Sequence, residues 1–441
     1  MTRKFIAALG VSAALVGVTT IGARATAIPP PTTPPQNVAA LNPQVVLTDV
    51  NGLVTAQSAS LQRLIVVGQD LDQRPLVAAN TTYAVINTTT HTMLSRRNTN
   101  GTIDNTAIDE QRGVAYLTVA TVPTRLSGGG AAYHIDLWTV SLRTGKLLSD
   151  RLFYEGEAET INAIAVDSPT GHIFVASTRP GSGTYELTMI NTSDMSLHIQ
   201  SLQGPPQNVF VDSAQHRVVV TLSVGIAATT SQFDGYDTRT EKHDWSHLFQ
   251  YILSSYSNFA QVYNPRTQQI WSVAPGGLVT VVDAATGHIA RQIQMGYTRP
   301  DAWSQVGFAL DTDRNVGYAQ WAGAPDCFVD QANERAAIRS TMIDYSGYPC
   351  GAASSTLIAV DEATGYLVTA DSQALHVFNS SAHLIRTVGL LDSKGQPSSW
   401  FTWATLQNGS HMTVIFSSDV AHQNEATGAV TTGAIVFVPI S

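Results

Sequence analysis

One pattern returns along this chain at intervals of 45 residues (Asp167 to Asp212) to 58 residues (Asp109 to Asp167). A chain that repeats itself at such a period folds as a stack or ring of like units, so the pattern outweighs length as a guide to architecture. Each unit opens with an apolar strand, breaks at a polar turn and returns as a more continuously apolar strand. NAIAVDSPTGHIFVAS from Asn162 shows it. NTAIDEQRGVAYLTVA from Asn105, QNVFVDSAQHRVVVTLS from Gln207 and FAQVYNPRTQQIWSVA from Phe259 repeat it, as do VGFALDTDRNVGYAQWA from Val306 and TLIAVDEATGYLVTAD from Thr356. Weaker copies lie at Val54 to Gly68 and Phe401 to Ser418, which places turns at Ser60, Asp109, Asp167, Asp212, Asn264, Asp311, Asp361 and Gln407.

A second hairpin lies between these copies, clearest in LVTVVDAATGHIARQIQM from Leu278. Asp or Asn opens its turn because the side chain caps the next backbone amides, and Gly supplies a positive φ. Two hairpins per repeat make a four-stranded antiparallel sheet, and a ring of such sheets leaves few free edges. The expected fold is therefore all-β: a single β-propeller over residues 44–441 with four-stranded antiparallel blades. The repeat count gives eight blades. Seven is the alternative, because no outer hairpin is evident in the sixth repeat. The last copy, ending in GAIVFVPIS, is one strand short, and QVVLTDV from Gln44 supplies an orphan strand at the front. An N-terminal strand closing the last blade accounts for both.

VTVVDAATGHI at 279–289, AVDSPTGHIFVAS at 165–177 and AVDEATGYLVTA at 359–370 resemble the YVTN-type β-propeller repeat family, a relative of the quinoprotein amine dehydrogenase-like propellers. No intact Tyr-Val-Thr-Asn tetrapeptide occurs, so the likeness is one of pattern. It implies a propeller fold and an exported setting. It implies no single activity, since such propellers serve as binding proteins, lyases, lactonases and cofactor-dependent dehydrogenases.

The first 27 residues read as an export signal: Arg3 and Lys4, then the uncharged run Phe5 to Ala23, then Ala25-Thr26-Ala27 as an A-x-A cleavage site. Cleavage after Ala27 would make the protein secreted or otherwise extracytoplasmic; a retained anchor helix is the alternative. Residues 28–43 carry six prolines and read as an extended spacer. Of 24 basic residues, 21 remain after cleavage against 33 acidic ones, a balance of −12 that disfavours nucleic acid and anionic membranes as partners. Past the signal no run is long and apolar enough to span a bilayer as a helix. Cys327 and Cys350 are the only cysteines, and in an oxidising compartment an isolated pair points to one disulfide. They fall in 323–355, the segment that departs most from the repeat, which reads as an insertion with a short helix over 330–343.

No catalytic or metal-binding motif emerges. His243 and His247 have a spacing that suits a metal on a helix but lie in a strand unit. Asp311, Asp313 and Asn315 imitate a calcium loop with its glycine misplaced. No cofactor is expected, although Ca²⁺ and a quinone are not excluded. Topology points further than motifs do. Turns within hairpins fall on one face of a propeller; the connections between hairpins and between blades fall on the other. Here the first set is short and stereotyped, whereas 68–82, 120–133, 178–184, 323–355 and 417–433 are long and irregular. Ligand sites favour such loops on a rigid frame. The blade-to-blade connections there offer Glu157, Glu159, Asn258, Arg299, Asp301, Trp303 and Trp400 at the channel mouth, where Arg beside Trp can hold a carboxylate and stack a ring. Each also has a plain structural explanation: Trp303 and Trp400 can seal neighbouring blades, and the glutamates can form a solvated loop. The expected function is a monomeric, non-catalytic binding or surface protein for a small molecule, a cell-wall fragment or a protein. A propeller enzyme (lyase, lactonase or quinone-dependent dehydrogenase) working at the channel mouth is the alternative.

Overall fold

A computed structural model describes residues 36–38, 44–47, 50–70, 81–99, 101–125, 131–156, 160–179, 183–224, 230–249, 261–273, 278–295, 306–323, 326–333, 337–343, 357–370, 374–379, 384–389, 401–407, 412–417, 422–423, 430–431 and 434–439. The chain divides into Met1–Pro34, which lies outside these residues, and a second unit, Pro35–Ser441. The described residues contain strands and turns and no helix.

Strands β1 (Gln36–Val38) and β2 (Gln44–Leu47) come first. The first sheet follows as β3 (Val50–Ser58), β4 (Arg63–Asp70), β5 (Thr81–Asn87) and β6 (Thr92–Asn98). The second holds β7 (Gly101–Asp109), β8 (Val114–Arg125), β9 (Ala131–Ser141) and β10 (Leu147–Gly156). The third holds β11 (Thr160–Asp167), β12 (His172–Arg179), β13 (Thr184–Asn191) and β14 (Leu197–Ser201). The fourth holds β15 (Pro206–Asp212), β16 (Arg217–Val224), β17 (Thr230–Asp237) and β18 (His243–Phe249). The fifth holds β19 (Gln261–Asn264), β20 (Gln269–Val273), β21 (Leu278–Asp283) and β22 (Ile289–Gln294). The sixth holds β23 (Val306–Asp311), β24 (Val316–Gly323), β25 (Asp326–Asn333) and β26 (Ala337–Ile343). The seventh holds β27 (Leu357–Asp361), β28 (Tyr366–Ala370), β29 (Ala374–Phe378) and β30 (Leu384–Gly389). The last is built from β31 (Phe401–Gln407), β32 (Met412–Ser417) and β35 (Ala434–Pro439), with the small pair β33 (His422–Gln423) and β34 (Val430–Thr431) before β35.

Among the described residues these make seven four-stranded sheets and one five-stranded sheet. The fifth strand is β1, added in parallel to the edge of β30, so the seventh sheet keeps the same antiparallel four as the others. The spacer expected over 28–43 thus contains a paired strand at 36–38. β2 pairs antiparallel with β35, Gln44 opposite Phe437 and Leu47 opposite Ala434, and completes the last sheet from the N-terminal side. The first strands of successive sheets lie side by side, and β3 returns against β31, so the sheets close into the ring of a propeller. The sixth sheet corrects one reading. Residues 330–333 and 337–343 are strand where a helix was expected; β25 and β26 form the outer hairpin that the sequence had concealed, with Cys327 opposite Ala322 and Ile343.

The second strand of each blade explains the ring. Successive side chains of a strand point to opposite faces, and here both faces are buried, one against each neighbouring blade. Leu64 and Val66 of β4 pack with Ile435 and Phe437 of the last blade, whereas Ile65 and Val67 pack with Ile103, Ala115 and Leu117 of the second. Val114 and Tyr116 turn to Ile173 and Val175 of the third blade. Phe174 and Ala176 turn to Val218 and Val220, Val219 to Ile270, and Trp271 to Phe308 and Leu310. This is why RLIVV, VAYLTV, HIFVAS and RVVVTL lack the polar alternation of a half-exposed strand.

The turns lock blade to blade on the opposite edge. The Asp109 carboxylate accepts the Arg112 amide at 2.9 Å and its guanidinium at 2.6 Å, and that guanidinium also donates to the Ser168 carbonyl of the next blade at 3.2 Å. Asp311, Arg314 and the Glu362 carbonyl repeat the device. Arg314 therefore occupies the carboxylate that a calcium loop would need. In the first blade Ser58, not Ser60, holds the capping position, accepting the Leu61 amide. The residue closing each of the seven described inner turns has positive φ: Gly113, Gly171 and Gly365, but also Gln62, His216, Gln268 and Asn315.

Two outcomes follow. Replacing Gln44–Leu47 with a Gly/Ser segment should lower the melting temperature by several degrees, because the last blade loses its outer strand; an unchanged melt would show that β2 does not close the ring. Asp109→Ala should move the urea midpoint by the equivalent of about 1–3 kcal/mol, since it strips partners from groups at a buried carboxylate. Asp109→Asn, which keeps the amide acceptor, should cost less.

Candidate functional site

The inner strands are not regular. Ile103 pairs with Val119 and Asn105 with Thr118, which leaves Asp104 bulged out of the ladder. The same interruption leaves out Asn162 in β11, Gln207 in β15 and Thr402 in β31, each five residues before the residue that ends its strand at the turn. Thr55 is bulged in β3. A bulge breaks ladder pairing and re-aims a side chain. Four blades, the last and the second to fourth, thus carry a polar residue at a bulge toward the channel-mouth end of the innermost strand, whereas the bulge of the first blade lies nearer its turn.

The bulges are built, not frayed. The amide after the bulge donates to a threonine of the second strand, Asn105 to Thr118 at 3.2 Å and Asn208 to Thr221 at 3.1 Å. The same asparagines reach the next blade: Asn105 Nδ2 donates to the Ile161 carbonyl at 2.7 Å and Asn208 Nδ2 to Gln261 Oε1 at 2.9 Å. Asn162 accepts the Thr178 hydroxyl at 2.8 Å. Gly101 opens β7 because a Cβ there would lie 2.2 Å from the Ala120 carbonyl oxygen.

Asp104 stands out in this arc. Its side chain reaches solvent, yet no hydrogen-bond or ion-pair partner faces it among the described residues. The protein around it displaces enough water to push its carboxyl up to about 6, with no cation to oppose the shift. A partly desolvated carboxylate without a partner is a candidate ligand contact. At the seam of the second and third blades the same end of the molecule holds mixed chemistry. The Arg179 guanidinium lies 4.9 Å over the Tyr154 ring and pairs with Glu186 at 2.7 Å. His134 lies 3.7 Å from Glu155.

Of the residues singled out in the sequence, Glu157, Glu159, Asn258, Arg299, Asp301, Trp303 and Trp400 lie outside the described residues, as does Cys350. Cys327 has its backbone in β25. The bulge residues were missed. Their signal was a polar residue five places before the turn Asp, as in DNTAID, NAIAVD and QNVFVD, at the head of an otherwise apolar strand.

No protein-family model matches the chain, and no curated protein matches it. Solved structures do. The computationally designed Ika8 protein is similar at 14% identity and TM-score 0.54, covering 90% of this chain and 99% of that one. BamB from Moraxella catarrhalis is similar at 12% identity and TM-score 0.52, covering 92% and 99%. At such identities the likeness shows the fold, and the fold is a β-propeller.

Proposed function

We propose that this protein is an exported binding propeller, divergent within the YVTN-type group, that captures a polar ligand at the channel end where the irregular connections lie. The observation that carries the reading is Asp104: an unpaired carboxylate at a reinforced bulge, with the bulged Asn162 at the same place on the next blade. Such a set favours a ligand that brings a cationic or strongly hydrogen-bond-donating group to Asp104 and offers hydroxyls or amides to its neighbours. Cleavage after Ala27 and a Cys327–Cys350 disulfide belong to the same reading. A loop of 24 residues closed in this way gains roughly 3 kcal/mol against its open form.

The test is a thermal-shift screen of the mature protein against amines, amino sugars, neutral sugars, organic acids and cell-wall fragments. A cationic or donor-rich hit should bind at least tenfold more weakly to Asp104→Asn and should lose affinity as the pH falls through about 6, where the carboxylate takes up its proton. In the free protein the sign is reversed: a raised carboxyl favours the fold on the acid side, so Asp104→Asn should stabilise more at pH 7.5 than at pH 5. A hit indifferent to Asp104→Asn, or no hit in any class, would sink the site. Thiol titration of the native mature protein checks the disulfide: no free thiol should react until the protein is reduced.

A further inference from the structure

The outer turns of the first five blades each end on a residue in the left-handed region: His91, Gly145, Met195, Glu241 and Gly287. Each of these sits against the blade before its own. Ser95 donates to the Gly145 carbonyl at 2.9 Å, and Gly287 lies against Trp245. Met195 packs into the cluster that holds Tyr116, and the Glu241 carboxylate lies 3.3 Å from His172 Nε2. For the first blade the preceding blade is the last one, and His91 meets Phe437 with ring centroids 4.5 Å apart. Phe437 is fully buried and stands opposite Gln44 of β2. His91 therefore presses on the strand pair that closes the ring.

Little around that imidazole can accept a charge. Its Nε2 is buried and has no hydrogen-bond partner among the described residues. Strands β2, β31, β32 and β35 contain no Asp, Glu, Lys, Arg, His, Tyr or Cys, and the turn residues beside His91 are threonines. From the first blade, β3 adds no charged side chain. β4 carries Arg63, which donates to the Leu142 carbonyl of the second blade at 3.0 Å, and Asp70, which stands opposite Val50 at the far end of the strand. Tyr83 of β5 packs toward the second blade, and Arg97 of β6 lies over the Trp138 ring there. Arg96, opposite Ala84, adds a second cation on the face turned to the last blade. Asp49, His411 and the residues after Pro439 lie outside the described residues. Burial accordingly holds His91 below the ordinary histidine value. Protonation would put a hydrogen on Nε2 with nothing to receive it, and attraction to the Phe437 face offsets only part of that cost. The unfolded chain takes up this proton at about 6.5 and the folded chain only at lower pH. The contact is thus at full strength above that value and weakens as the pH falls from there through the folded one.

We propose that His91 is an acid-sensitive latch on the ring: its neutral ring holds the first blade to Phe437 of the last, and its protonation loosens the closure made by β2 and β35. Hydrogen exchange of the mature protein, corrected for the intrinsic rate at each pH, reads such opening strand by strand. Between pH 7.5 and pH 5, residues 44–47 and 434–439 should lose about threefold or more of their protection. β16 and β20, at the seam of the fourth and fifth blades, should change less. His91→Asn keeps a residue that tolerates the left-handed turn and does not titrate, so the closure should hold equally at both pH values. His91→Gly suits the turn as well and should behave alike. Asp104, in the second blade, shifts stability in the opposite sense, and the strand-resolved readout separates the two. A closure whose protection stays flat or rises in acid, a loss of equal size all round the ring, or a pH dependence that survives in both variants would each overturn the proposal.

Discussion

The structure rests on strands that are buried on both faces. Each second strand hands alternate side chains to its two neighbours, so a blade has no core of its own and each seam is shared. Fully burying one Val, Leu, Ile or Phe is worth about 1.5–3 kcal/mol, and the described seams from the last blade round to the sixth hold several each. A unit that can hide its apolar faces only against a copy of itself must continue until it meets its own beginning. The ring, the joining of β2 to β35 and the packing of Phe437 against the first blade all follow from that requirement.

Rigidity at the seams gives the inner strands freedom to depart from regularity. A bulge forfeits ladder pairing at one residue; here Thr118 and Thr221 take up the amide that follows it, and Asn105 and Asn208 tie the bulged strand to the next blade. Asp104 is held by this arrangement in a place that partly strips its hydration.

The fold was legible because its determinants are local and repeated. Asp-turn spacing and the continuous apolar runs of β8, β12 and β16 state the blade outright. Legibility failed where tertiary context replaced local chemistry. DQANERAAIRSTMI scores as a helix by residue preference, yet it forms β25 and β26 because the blade between its neighbours needs an outer hairpin. Four inner turns put Gln62, His216, Gln268 and Asn315 at positive φ, where Gly would have announced the turn. The candidate site was harder still. Aromatic and charged connections drew the eye, whereas the bulges show only as single polar residues such as Gln207 inside strands, and nothing in the sequence says that Asp104 is unpaired.

The most direct test of this account is the carboxyl titration of Asp104, followed by carbon-13 NMR on aspartate-labelled mature protein and assigned by the signal lost in Asp104→Asn. The account predicts a midpoint of about 6, raised by confinement alone and falling when a cationic ligand binds. A midpoint in the ordinary range of a solvated aspartate, near 4, and indifferent to every ligand, would contradict it.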